Sequence, residues 1–333
     1  MSTRQFSIAL LLLGLALALG HAATAAEPKA AEPKADRPKA AAIPPTHADV
    51  RYGPHPRNVF DLYLAKSDKP APLVLYIHGG GFKAGDKKSL NQADLKAYLA
   101  AGFSVAAINY RFTDTAPAPA TYLDCGRALQ TLRHRAAEWN LDPTRVASTG
   151  GSAGAGTSLW LAFHDDLADP KSDDPVARQS TRLTCVAVRD GQSSYDPRLA
   201  EKAGIPRPNF EKHEFFLPFY DIKADEIDTP KAYKRYEEMA PITYISADDP
   251  PALLTYSYPN AEVNAKTPLG TIVHHPKLGI ILKERMDPLK VECIVQYLDG
   301  PKGKLVRHGS TEPPVTALEF IRKQFEKAKT PRP

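Results

Sequence analysis

Gly150-Gly151-Ser152-Ala153-Gly154 is the stretch that most restricts what this chain can fold into. It follows the short segment Arg145-Val146-Ala147-Ser148-Thr149, which reads as a strand, and precedes Ala155 to Phe163, which reads as a helix. Passing from strand to helix in so few residues forces a sharp, strained turn, and large side chains beside the serine would collide with the adjoining strand or helix. Glycine and alanine are what such a turn requires. The serine at its tip has the strand-turn-helix context of a nucleophile elbow.

The surrounding pattern supplies the sheet that the turn needs. Leu73-Val74-Leu75-Tyr76-Ile77 and Phe103-Ser104-Val105-Ala106-Ala107-Ile108 are continuous apolar runs, suited to strands buried on both faces. Between them Asn91 to Ala101 reads as a helix stopped by Gly102. Tyr122 to Trp139 reads as a longer helix leading to the strand before the turn. Thr184 to Val188, Pro251 to Tyr256 and Val291 to Tyr297 read as later strands, His274 to Met286 as a helix, and Pro314 to Phe325 as a closing amphipathic helix. Strands alternating with helices make an α/β protein with a mostly parallel sheet. In such sheets the active site lies at the carboxyl ends of the strands.

A second motif falls at one of those ends. His78-Gly79-Gly80-Gly81-Phe82 follows the strand Leu73 to Ile77. Three glycines there let backbone N–H groups converge on a developing oxyanion. Lys83 and Lys87 do not complete the spacing of a phosphate-binding loop.

With these two motifs the chain resembles the α/β-hydrolase superfamily, and within it the hormone-sensitive-lipase-like and bacterial feruloyl-esterase-like carboxylesterases. Asn109-Tyr110-Arg111, similar to the family's D-Y-R, and Asp142-Pro143-Thr144-Arg145-Val146 extend the resemblance. It is close over residues 55–165 and looser beyond. It implies an α/β-hydrolase fold, with helices flanking a mostly parallel sheet and a small cap inserted at about 195–246. It further implies Ser152 as nucleophile and Gly80, Gly81 and Ala153 as oxyanion-hole donors. Gly151 stands where the family carries Asp or Glu, a change that leaves the nucleophile in place.

The family's chain order is serine, acid, histidine, with the histidine on a loop before the last helix. Arg307-His308-Gly309 resembles that loop, so His308 is the expected general base. His274 and His275 come earlier and read as structural. The acid is less defined. Asn260 falls where the family has aspartate, and an amide cannot stabilise an imidazolium. Glu262 on the same loop ranks first, with Asp196 and Asp190 after the preceding strand as alternatives.

Other features bound the organisation. Arg4, an apolar run from Ile8 to Leu19 and Ala23-Thr24-Ala25 read as a signal peptide over residues 1–25, too short to span a bilayer. Residues 26–45, with repeated Ala-Glu-Pro-Lys, read as a solvated linker, leaving 46–333 as the hydrolase domain. Export implies a secreted or periplasmic location. The net charge of +5 is too dilute for an electrostatic grip on nucleic acid. Residues 1–45 hold five basic and three acidic residues, so +2 of that charge lies outside the domain. The three cysteines, Cys125, Cys185 and Cys293, are too scattered for a zinc ribbon or disulfide framework.

The expectation is therefore an exported serine carboxylester hydrolase without metal or organic cofactor, acting on small or plant-polysaccharide-derived esters. Its expected partner is a small-molecule ester; the sequence leaves the oligomeric state open. The alternative is a catalytically impaired binding protein on the same fold, lacking a proper triad acid.

Overall fold

A computed structural model describes residues 42–207 and 215–328. The expected signal peptide, the linker up to residue 41 and Phe210 of the expected cap lie outside the described residues. Nine strands form one sheet in the order β1-β2-β4-β3-β5-β6-β7-β8-β9. The strands are β1 His47–Arg51, β2 Val59–Tyr63, β3 Ala71–Ile77, β4 Ser104–Ile108, β5 Leu141–Gly151, β6 Cys185–Arg189, β7 Ala252–Pro259, β8 Cys293–Leu298 and β9 Leu305–Arg307. From β4 to β8 neighbours run parallel, while β1, β2 and β9 are attached antiparallel.

Burial explains both the strands and their order. Leu73, Leu75, Ile77, Val186, Val188 and Val295 face one core, and Val74, Val105, Ala107, Ala147 and Ala187 face the other. The period-two alternation of side chains thus gives the central strands two buried faces, as the apolar runs require. Helices α1 Gln92–Ala100 and the C-terminal Ala317–Ala328 belong to the second face, with Leu95, Phe320 and Phe325 in its core. Helices α2 Ala120–His134 and α3 Ala153–Phe163 belong to the first, burying Leu129, Leu132, Leu159 and Trp160. The chain leaves β3 to one side for β4 and returns to its other side as β5. That reversal opens a crevice at the carboxyl ends of β3 and β5, where His78-Gly79-Gly80-Gly81 and Ser152 follow.

Between β6 and β7 the chain forms α4 Pro197–Lys202, α5 Phe216–Tyr220 and α6 Pro230–Met239. Their aromatic residues mostly pack inward: Phe216, Phe219, Tyr220 and Tyr236 are fully buried.

Three details differ from the sequence expectation. The outer strands β1, β2 and β9 went unforeseen. Helix α2 ends at His134, short of Trp139, whose ring meets Phe60 edge-on at 5.9 Å. The helix expected over His274 to Met286 is two helices, α7 Leu269–Val273 and α8 Lys277–Met286, with His274-His275-Pro276 between them. Proline lacks the N–H a helix needs and disfavours helical geometry at the residue before it, so Pro276 interrupts the run. The three cysteines are free and buried, and burial pushes the Cys293 thiol up to about 12.

Candidate active site

Ser152 sits between β5 and α3 with φ 53° and ψ −123°, a strained conformation for a residue with a side chain. The glycines around it make that geometry attainable. A Cβ on Gly150 would stand 2.3 Å from the Ile77 carbonyl oxygen, and one on Gly154 would stand 2.1 Å from it. Both contacts are with the main chain of β3, which cannot yield. The turn is fixed further by hydrogen bonds from Ser152 N–H to Arg189 O (3.0 Å) and from Gly156 N–H to Ser152 O (3.0 Å).

The glycine loop lies against this turn: a Cβ on Gly79 would be 3.4 Å from the Ser152 Cβ. Gly80 (φ 115°), Gly81 (φ 57°) and Phe82 (φ 60°) hold left-handed backbone that only glycine adopts cheaply. The loop closes on itself through Lys83 and Ala84 N–H groups donating to Gly80 O, at 3.1 and 3.0 Å. Among the described residues no backbone hydrogen bond takes up the N–H of Gly80, Gly81 or Ala153. Ala153 opens α3, where first-turn N–H groups are unpaired and the helix dipole favours negative charge. The loop that carries Gly80 and Gly81 thus lies against the Ser152 turn, and Ala153 directly follows the serine. Phe82 anchors the loop in the aromatic cluster, 4.5 Å from the Phe219 ring and 6.1 Å from those of Tyr122 and Tyr195.

His78 is buried, its ring stacked on Tyr110 at 4.3 Å. Its Nε2 lies 3.2 Å from Arg57 Nη2 and its Nδ1 2.7 Å from Gly79 O. Arginine only donates, so Nε2 accepts and Nδ1 carries the proton that binds Gly79 O. Burial chiefly brings its pKa down to about 4, with the Gly79 hydrogen bond opposing and the Arg57 charge assisting. His78 is therefore a neutral support of the loop.

The histidine that reaches the serine is His274. Its Nε2 lies 2.8 Å from Ser152 Oγ. Three features place it. The break at Pro276 puts His274 just past α7. The buried Gln192 side chain donates to Val273 O (2.8 Å) and Asp190 O (3.0 Å) and accepts from Tyr195 Oη (2.9 Å), clamping the peptide before His274. The Tyr258 ring lies nearly parallel to the imidazole, 6.2 Å between centroids. His275 plays the structural part expected of both: buried, it bonds Ala261 O through Nε2 (2.8 Å) and accepts the Lys277 N–H at Nδ1. Its pKa is lowered by burial.

His308, the residue expected in that place, is held elsewhere. Leu305–Arg307 adds to the sheet as β9, so the expected free loop is drawn into pairing with β8. The His308 N–H donates to Val295 O (2.8 Å), and its Nδ1 lies 3.2 Å from Tyr297 Oη. The expected acids are not brought to His274 either. Glu262 is exposed and hydrogen-bonds none of the described residues. Asp190 accepts Ser257 N–H (2.7 Å) and Oγ–H (2.9 Å), tying β6 to β7. Asp196 caps α4 through Arg198 N–H (2.9 Å) and forms a two-pronged ion pair with the Arg198 side chain. Asn260 is exposed. Among the described residues no carboxylate hydrogen-bonds the His274 ring.

Sequence reasoning missed His274, though His-His-Pro after a short apolar run carried the signal. A cleft of about 690 Å³ also opens on the opposite sheet face, lined by Tyr98, Gly151, Arg189 and Gln296. Neither Ser152 nor His274 contributes to it, so its volume says nothing of the chemistry at the elbow. Among the described residues no helix is long and apolar enough to cross a membrane.

Comparison with known proteins identifies the family of the chain. The BD-FAE family model matches residues 60–267. Esterase LipQ of Mycobacterium tuberculosis is 26% identical over 211 residues, covering 61% of this chain and 46% of that protein. Carboxylesterase NlhH of the same species is 34% identical over 150 residues, covering 45% of this chain and 44% of that protein. The chain spans about half the length of the curated relatives it matches. Among solved structures, esterase B from Lactobacillus rhamnosis aligns with TM-score 0.58 at 20% identity, over 86% of this chain and 89% of that one. An acetyl ester-xyloside bifunctional hydrolase from Caldicellulosiruptor lactoaceticus aligns with TM-score 0.54 at 22% identity, over 70% and 74%. Both share the α/β-hydrolase fold.

Proposed function

Because the chain belongs to the BD-FAE family, we propose that it is a serine carboxylester hydrolase working through Ser152 and His274. What supports this above all is the 2.8 Å contact between Ser152 Oγ and His274 Nε2 beside free N–H groups. Ser152 Oγ attacks the ester carbonyl carbon while its proton passes to His274 Nε2. The carbonyl oxygen takes up negative charge and accepts hydrogen bonds from Gly80, Gly81 and Ala153, donors that need no rearrangement as the charge forms. The C–O bond to the alcohol breaks, and the alcohol leaves with the proton from His274. Water then attacks the acyl-enzyme, gives a proton to His274, and releases the acid as Ser152 recovers its own.

The proposed substrates are small or plant-polysaccharide-derived esters, in keeping with the acetyl ester-xyloside hydrolase among the structural neighbours. Export is proposed from the leader pattern in residues 1–25. A binding protein that kept the fold has one observation in its favour, the lack of a carboxylate on His274 among the described residues. Against it stands the strained φ of Ser152, a cost that binding alone does not require. The test is hydrolysis of p-nitrophenyl acetate by the purified protein at neutral to mildly alkaline pH. Release of p-nitrophenol that vanishes in Ser152→Ala is expected; no release from the folded protein would reject the enzyme.

A further inference from the structure

We propose that Arg57 is a positioning residue for the oxyanion loop, an assignment that rests on the hydrolase reading above. Arg57 lies far from the serine in sequence, in the turn joining β1 to β2. Its guanidinium makes four contacts, all with the glycine loop or its supports. Nε donates to Tyr110 O at 2.8 Å, and Nη2 donates to Gly85 O at 3.1 Å. Nη2 also lies 3.2 Å from His78 Nε2, and the guanidinium carbon stands 3.7 Å above the Phe112 ring.

Each contact bears on where Gly80 and Gly81 stand. His78 and Gly85 are the two ends of the loop that carries the donors. They are packed together so tightly that a Cβ on Gly85 would meet His78 Nδ1 and Gly79 O at 2.4 Å each. One Arg57 nitrogen bonds both ends, so a single planar group sets the span of the loop. Its hydrogen bond to His78 Nε2 also selects the tautomer whose Nδ1–H holds Gly79 O. The bond to Tyr110 O ties this frame to the end of β4, where Tyr110 itself stacks on His78 and donates to His78 O at 2.7 Å.

The turn carrying Arg57 is built to hold it. Tyr52 N–H donates to Asn58 O (3.0 Å), Asn58 N–H to His55 O (2.8 Å), and His55 N–H to Asn58 Oδ1 (3.0 Å). Arg57 N–H itself donates to His55 Nδ1 at 3.2 Å. A lysine cannot replace this group, because one ammonium cannot serve three acceptors in a plane while stacking on an aromatic ring.

The experiment measures kcat, KM and the inhibition constant of a trifluoromethyl ketone, which forms a serine-bound oxyanion, for wild type, Arg57→Lys and Phe112→Leu. In Arg57→Lys, kcat is expected to fall about 100-fold with KM within about threefold, since misplaced donors forfeit transition-state stabilisation. The ketone should weaken by a similar factor. Phe112→Leu, which removes only the stacking, should show the same pattern at about tenfold or less. An unchanged kcat in Arg57→Lys, or a fall in kcat with the ketone bound as tightly as before, would overturn the role of Arg57 alone. Absence of turnover and of ketone binding in wild type would overturn the hydrolase reading with it. Added guanidinium is also expected to restore part of the activity of Arg57→Ala, and no recovery in the folded variant would count against the role of Arg57.

Discussion

Ser152 Oγ and His274 Nε2 stand 2.8 Å apart although the histidine comes from the segment between β7 and β8, ahead of the last parallel strand. The usual place for such a histidine, after that strand, is taken up here by β9. His274→Ala is expected to lower kcat by about a thousandfold or more, the scale seen when a serine loses its base. His308→Ala should leave kcat/KM within about threefold, because among the described residues His308 bonds only Val295 and Tyr297. Steady-state kinetics on an activated ester distinguishes the two.

With no carboxylate among the described residues on the His274 ring, the acidic candidates should behave as structural residues. Glu262→Gln, Asp190→Asn and Asp196→Ala are each expected to keep kcat/KM within about tenfold of wild type, against about 10⁴ for loss of a working triad acid. Asp196→Ala should instead cost about 1 kcal/mol of stability through loss of the α4 cap, read from the urea midpoint. A fall of several orders of magnitude in any one of them would identify an acid that reaches His274 during turnover.

His78 gives the fold an acid limit. Unfolded, a histidine titrates near pH 6.5, whereas buried His78 does so at about 4. Between those values the unfolded chain binds the extra proton, so stability is complete above about 6.5 and is lost as pH falls toward 4. The loss is on the order of 3 kcal/mol. His78→Gln cannot titrate, so the stability gap between it and wild type should narrow as pH falls from 7 to 4.5. A gap that stays constant in urea titrations would show that His78 is not held neutral.

Gln192 is expected to matter for kcat more than for binding. Gln192→Leu leaves the carbonyls of Val273 and Asp190 without their donor, at a cost of about 1–3 kcal/mol in stability. Freed from its clamp, His274 should lose alignment with Ser152 and kcat should fall about tenfold at nearly constant KM. Equal losses in both kinetic constants would place Gln192 at the substrate instead.

Most of the fold was legible because its strands are buried on two faces. Leu73 to Ile77 and Val105 to Ile108 have no polar face to confuse the reading. The antiparallel strands carry weaker signals: His47–Arg51 is largely exposed and polar, and Leu305–Arg307 is only three residues long. The turn and glycine loop were legible because main-chain contact dictates glycine there whatever the tertiary surroundings. The histidine was not. Its place depends on which long-range strand pairs form, and pattern alone could not show that β9 draws His308 into the sheet while Pro276 breaks a helix to expose His274. The acid failed for a related reason: Asp190 and Asp196 lie near strand ends, but local partners, Ser257 and Arg198, take up their oxygens.

The most direct test of the Ser152–His274 pair is the rate at which an organophosphate labels Ser152, followed by intact-protein mass spectrometry. Wild type and His308→Ala should be labelled at similar rates, and His274→Ala about a hundredfold or more slowly. Unimpaired labelling in His274→Ala with loss of labelling in His308→Ala would contradict the account.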